Sequence, residues 1–146
     1  MTDGIDDAIL NDLEKQIAAE KATFEIIAFT VGGVETKQGK KVAANQKLDG
    51  APSVLYDAIA LLITSEAIPL LVKHPAARQF VSDAFTHLKV IGYTSDSKAL
   101  FEKIGIASEL DEGCIELATN RSIKKYLEAC KNIRIWKREP LVLPSF

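Results

Sequence analysis

Two hydrophobic patterns alternate along the chain, one recurring at helical spacing and one forming short continuous apolar runs. They meet most sharply at residues 89–104, KVIGYTSDSKALFEKI. Residues 90–93 form a short apolar run, residues 94–97 are four small polar side chains, and Ala99, Leu100, Phe101 and Ile104 return at helical spacing. This predicts a buried strand, a tight polar turn and an amphipathic helix closed by Gly105 as its C-cap. Many α/β enzymes place a nucleophile at such an elbow.

The same reading organises the rest. Residues 5–20 predict a helix capped by Asp3, with Asp6 and Asp7 in its first turn and Ile9, Leu13 and Ile17 along one stripe. Residues 23–30, TFEIIAFT, predict a strand covered on both faces. Residues 34–36 and 41–43 pair as a hairpin across the polar turn 37–40. Residues 54–63 hold the most hydrophobic strand, starting near Asp57 and central in the sheet. Thr64 or Ser65 caps a helix that His74-Pro75 stops, and a second helix starts at Pro75 and runs to Leu88. Residues 114–117 predict a short strand, and Asn120 or Ser122 caps a last helix carrying Ile123, Tyr126, Leu127 and Cys130. Ile133, Ile135 and Trp136 then precede the charged 137–139 segment, an apolar-then-charged tail of the kind that packs against a neighbouring domain.

Helices alternating with apolar strands predict a flavodoxin-like three-layer α/β/α sandwich with a mainly parallel sheet. Such a sheet normally starts with a strand before its first helix, yet only residues 1–3 stand there. The first strand reads as missing, so either the sheet lacks it or another segment fills its slot.

Totals change this picture little. A chain of 146 residues, 47% hydrophobic and 26% charged, fits one domain over residues 1–146. A net charge of -2 exerts no broad pull on nucleic acid or anionic membrane, and Lys37, Lys40 and Lys41 read as a solvated hairpin tip. No apolar run is long enough to span a bilayer and no secretory signal is visible, so a cytoplasmic location is expected. Cys114 and Cys130 lack metal-site spacing and read as reduced structural thiols. His74 and His87 lie at helix boundaries, where capping explains them better than base catalysis. No metal cluster and neither glycine-rich nucleotide fingerprint occurs, so no cofactor is expected.

Candidate chemistry narrows to the elbow. A hydroxyl nucleophile at Thr94, Ser95 or Ser97 needs a base within reach and oxyanion donors beside it. Main-chain N–H groups at the helix start could serve as donors, or hold a small anion. No base partner is assignable, and Ser95 or Asp96 reads first as a helix cap. The alternatives kept open are a small hydrolase or glyoxalase-like enzyme, or an anion-binding module, using the Thr94–Ser97 turn.

Several segments carry a family likeness: TDGID near the front, GAPSVLYDAIALL, AARQFVSDAFTHLKVIGY, DEGCIEL and IWKREP. In that order and over nearly the whole chain they resemble the C-terminal domain of large-subunit haem catalases. That domain is similar to the class I glutamine amidotransferase-like superfamily, which also contains intracellular cysteine peptidases and a parkinsonism-associated chaperone. The superfamily's active members carry a cysteine at the elbow and a glutamate on the first helix. Here those slots hold Thr94 and a residue near Ile9, which removes the thiol chemistry. The resemblance implies a domain without catalysis of its own, one that stabilises a catalase tetramer, shapes access to its haem channel or holds unfolding partners. It also implies homo-oligomerisation or another protein partner. Peroxide dismutation needs a haem β-barrel with an axial tyrosine and a distal histidine, and no segment of this chain matches that barrel.

Overall fold

The computed structural model describes residues 1–131. In chain order its elements are α1 (Asp7–Ala19), β1 (Ile27–Ala28), β2 (Val34–Glu35), β3 (Lys41–Val42), β4 (Gln46–Lys47), β5 (Ala58–Leu61), α2 (Ile68–Lys73), α3 (Pro75–Thr86), β6 (Val90–Tyr93), α4 (Lys98–Ile104), β7 (Cys114–Glu116) and α5 (Asn120–Cys130). Strand β6 is buried at all its positions and pairs in parallel with β5 on one side and β7 on the other. That is the arrangement a continuous apolar run demands when both faces are covered.

Side-chain alternation divides the core in two. Ile59 and Leu61 of β5, with their register partners Ile91 and Tyr93, pack against Leu71, Ala77, Val81, Ala84, Phe85, Leu100 and Phe101 from α2, α3 and α4. On the other face, Val90, Leu117 and Ile115 meet Leu10 and Leu13 of α1 and Ile123 and Tyr126 of α5. The three-layer α/β sandwich with a parallel sheet is therefore as the pattern predicts. The hairpin also forms, β2 against β3 with Val34 opposite Val42.

Individual boundaries differ for local reasons. Asp6, not Asp3, caps α1, accepting from the Ala8 N–H at 2.8 Å, while Asp3 accepts from the Glu35 N–H at 2.9 Å. Segment 23–30 yields only the two residues of β1. Phe24 is exposed, and β1 has one partner strand, the unforeseen β4 in a polar segment. The strand expected to start near Asp57 does begin at Ala58, after Ser53–Leu55 turn in a 3-10 helix that leaves Val54 and Leu55 exposed. Strand β5 is moreover the edge of its three-stranded sheet, and β6 the centre. Neither Thr64 nor Ser65 caps its helix through a side chain. Thr119 caps α5 in a capping box with Ser122, which moves the expected cap one residue from Asn120. Gly105 closes α4 in the left-handed conformation at φ 82°.

Two devices fix the middle of the sheet. Gly92 has no side chain, and a Cβ there would lie 2.9 Å from Leu117 Cδ1 and from the Tyr126 ring. The ring thus lies directly over the strand, and Tyr126 Oη donates to the Ile59 carbonyl at 2.8 Å. Lys89 is 1% exposed, and its ammonium donates to the Ser53 carbonyl at 2.7 Å and to the Tyr56 carbonyl. Two main-chain carbonyls of the loop before β5 thus accept from a side chain that the fold has removed from water.

Candidate functional site

The elbow is where the sequence expects it. Tyr93 ends β6, Thr94 turns the chain, and Ser95–Ser97 form a single 3-10 turn before α4. Thr94 is 9% exposed. Its main-chain N–H donates to the Leu61 carbonyl at 2.9 Å, which extends the β5–β6 ladder by one rung. Its Oγ1 accepts from the Ile63 N–H at 3.1 Å and lies 2.7 Å from the Ile63 carbonyl, to which it donates. Ser97 Oγ is buried beside it, 3.3 Å away and 3.4 Å from the Leu61 carbonyl. The two hydroxyls are tied to the carboxyl end of β5.

Ser95 is exposed, and among the described residues its side chain makes no hydrogen bond. Asp96 is exposed and does not cap α4; its Oδ2 accepts from the Ser65 N–H at 3.1 Å and so caps the turn that opens α2. The expected capping by Ser95 or Asp96 of their own helix is thus replaced by a bond across to the neighbouring one.

The other candidates lie apart from the elbow. His74 Nε2 is 3.3 Å from Asp49 Oδ1, its ring tilted against Phe29 at 5.5 Å, and His87 Nδ1 is 2.7 Å from the Asp83 carbonyl at the end of α3. Ile9 is half-buried on α1 and packs with the opposite core layer. Both cysteines are half-buried. Burial pushes the Cys130 thiol up to about 11 despite its contact with Tyr126. Among the described residues no group of three or more His, Cys, Asp or Glu is placed to hold a metal ion, and no helix is long and apolar enough to cross a membrane. The hairpin lysines Lys37, Lys40 and Lys41 are exposed. The tail residues 133–140, including Trp136, lie outside the described residues.

A further concavity lies elsewhere, a cavity of about 620 Å³ between β1 and β5. Leu10, Leu13 and Tyr126 line it from one layer, Leu71, Val81 and Leu100 from the other. Met1 and Thr2 close its end: the Met1 amine donates to the Ile27 carbonyl at 2.7 Å, and the Thr2 N–H donates to the Leu62 carbonyl at 2.9 Å. Burial lowers the Met1 amine to about 6. Among the described residues no strand lies between β1 and β5, where the order of elements predicts a first strand. No side-chain motif marks it; only the order of elements does.

Comparison with known proteins places these features. Residues 2–140 match the C-terminal domain found in long catalases. Catalase C of Rhizobium meliloti is 49% identical over 141 residues, 97% of this chain and 20% of that protein. Catalase HPII of Pseudomonas aeruginosa is 25% identical over 140 residues, 95% of this chain and 20% of the relative. The chain thus spans about a fifth of the length of the catalases it matches. Among solved structures, Schizosaccharomyces pombe DJ-1 superposes with a TM-score of 0.69 at 13% identity, covering 99% of this chain and 95% of the other. Drosophila melanogaster DJ-1beta gives 0.71 at 8% identity, covering 99% and 93%. At those identities the likeness is one of fold.

Proposed function

This chain belongs to the family of C-terminal domains found in long catalases, and from that premise we propose that it works by contact rather than by turnover. In this reading it steadies a catalase assembly that detoxifies hydrogen peroxide in the cytoplasm, through self-association or by holding a protein partner, and it takes no cofactor. The observation that carries the proposal is the state of the elbow. Thr94 Oγ1 both accepts from and donates to Ile63, and none of its recorded partners is a histidine, thiol or carboxylate. A nucleophile needs a neighbouring base to take its proton; here the proton is already committed to a carbonyl. Ser97 Oγ lies against Thr94 Oγ1 and the Leu61 carbonyl, and Ser95 is exposed with no side-chain hydrogen bond among the described residues.

Two measurements test this. The chain is added to a long catalase from which the C-terminal domain has been removed, and the half-life of peroxide consumption is followed at elevated temperature. A longer half-life is expected, together with a dimer or larger species in light scattering of the chain alone or of the mixture. Ester and 2-oxoaldehyde substrates are then offered to the chain and to its Thr94→Ala and Ser95→Ala variants. Turnover that disappears with either substitution would overturn the proposal.

A further inference from the structure

The pair Asp-Gly occurs twice in the chain, at residues 3–4 and 49–50. In this pair a carboxyl lies one ring closure away from a main-chain nitrogen that no Cβ shields. Both pairs are exposed, so exposure does not separate them. Their bonding does. Asp3 Oδ1 accepts from the Glu35 N–H at 2.9 Å, the Asp3 carbonyl accepts from Thr64 Oγ1 at 2.8 Å, and the Gly4 N–H donates to the Glu35 carbonyl at 2.9 Å. There the carboxyl and the nitrogen are each tied to the β2 main chain.

Asp49 and Gly50 stand instead in a single 3-10 turn, Leu48–Gly50, that has no side-chain cap. An isolated turn of this kind has poor hydrogen-bond geometry and opens at low cost. A Cβ at Gly50 would meet nothing within 4 Å, and the Asp49 side chain is 52% exposed. Its carboxylate has two side-chain contacts, Oδ1 at 3.3 Å from His74 Nε2 and Oδ2 at 3.7 Å from Lys47 Nζ. The first of these joins the turn after β4 to the corner between α2 and α3.

We infer that Asp49 is a site of spontaneous isoaspartate formation, and that this change cuts the His74–Asp49 link between the β4 segment and the α2–α3 corner. The Gly50 nitrogen attacks Asp49 Cγ: a C–N bond forms, the carboxyl C–OH bond breaks, and the amide proton leaves with the hydroxyl as water. Water then opens the cyclic imide. Opening at the side-chain carbonyl returns aspartate. Opening at the main-chain carbonyl leaves the chain running through Cβ and Cγ, with the former main-chain carboxyl as the new side group. Nothing is oxidised or reduced, and water is the only co-reactant. The product has a backbone one methylene longer and a carboxylate attached directly to Cα, so that carboxylate no longer meets His74 and Lys47.

The test holds the full 146-residue chain warm at neutral pH for several weeks. Digests are then read by electron-transfer mass spectrometry, which separates isoaspartate from aspartate. Isoaspartate is expected at residue 49 in at least about tenfold excess over residue 3, and at both positions alike when the chain is aged in urea. Hydrogen exchange across residues 46–51 is expected to quicken as isoaspartate accumulates, and an isoaspartyl methyltransferase with its methyl donor to reverse both changes. Gly50→Ala is a control that folds, because the added Cβ has room and Gly50 is not at positive φ. Its methyl crowds the attacking nitrogen, so the aged variant is expected to keep aspartate and its original exchange pattern. Equal isoaspartate at residues 3 and 49 of the folded chain would overturn the inference. So would none at residue 49 where urea produces it, an unchanged exchange pattern once isoaspartate has formed, or the same quickening in aged Gly50→Ala.

Discussion

Replacing Thr94 by valine removes one hydroxyl and keeps the shape of the side chain. In the native fold that hydroxyl accepts from the Ile63 N–H at 3.1 Å and donates to the Ile63 carbonyl at 2.7 Å. Both Ile63 groups lie under a residue that is 4% exposed. Stranding a buried donor or acceptor costs roughly 1–3 kcal/mol, and the added methyl returns up to about 0.8 kcal/mol. With two groups stranded, the expected loss is about 1–5 kcal/mol, or a melting temperature lower by roughly 3–20 °C for a chain of this size. Thr94→Ser keeps the hydroxyl and loses only a methyl, so it should cost about 1 kcal/mol. Ser95→Ala, at an exposed position, should stay within about 0.5 kcal/mol of the parent. Urea unfolding of the four proteins, with thermal melts alongside, separates these cases. The reasoning fails if valine costs less than about 1 kcal/mol, or if serine is as harmful as valine.

Gly92→Ala places a methyl 2.9 Å from the Tyr126 ring and Leu117 and should cost about 1–3 kcal/mol through overpacking, with the loss of the Tyr126 hydroxyl bond visible in the tyrosine absorbance. Lys89→Met leaves the Ser53 and Tyr56 carbonyls without their donor and should cost about 2–4 kcal/mol by urea unfolding. For the chain beginning at Met1, the amine ordinarily titrates at 8.0 and is lowered to about 6 in the fold. Between those values the unfolded chain binds more protons, so stability should fall as pH drops from 8 to 6, by up to ~2–3 kcal/mol, and acetylation of the amine should flatten that slope. Cys130, raised to about 11, should react with a disulfide reagent far more slowly in the folded chain than in urea.

Legibility in the sequence followed the strength of the hydrophobic signal. Residues 90–93 and the stripe of α3 declare themselves because every apolar position there is used by the core. The elbow at Thr94 was readable from the change of period alone. What could not be read depends on contacts between distant residues. Residues 23–30 have strong strand propensity, yet only Ile27 and Ala28 find a partner, and that partner is the polar pair Gln46 and Lys47. Composition made 54–63 look like the sheet's centre, whereas position in a sheet is settled by what lies alongside. The caps moved for a related reason: Asp3 and Asp96 have the right side chains, but a donor on another segment lay closer to each. The first strand predicted from the order of elements has no counterpart among the described residues.

The ammonium of Lys89 reaches the loop before β5 from underneath, through the protein rather than across its surface. The ion pairs Lys47–Asp49, Lys98–Glu116 and Lys131–Glu20 all involve side chains more than a third exposed, and dissolved ions weaken such pairs as their concentration rises. A tether with no water around it escapes that attenuation. The loop carrying Val54 and Leu55 should therefore hold one outline from dilute buffer to strong brine, while the rim of the domain loosens around it.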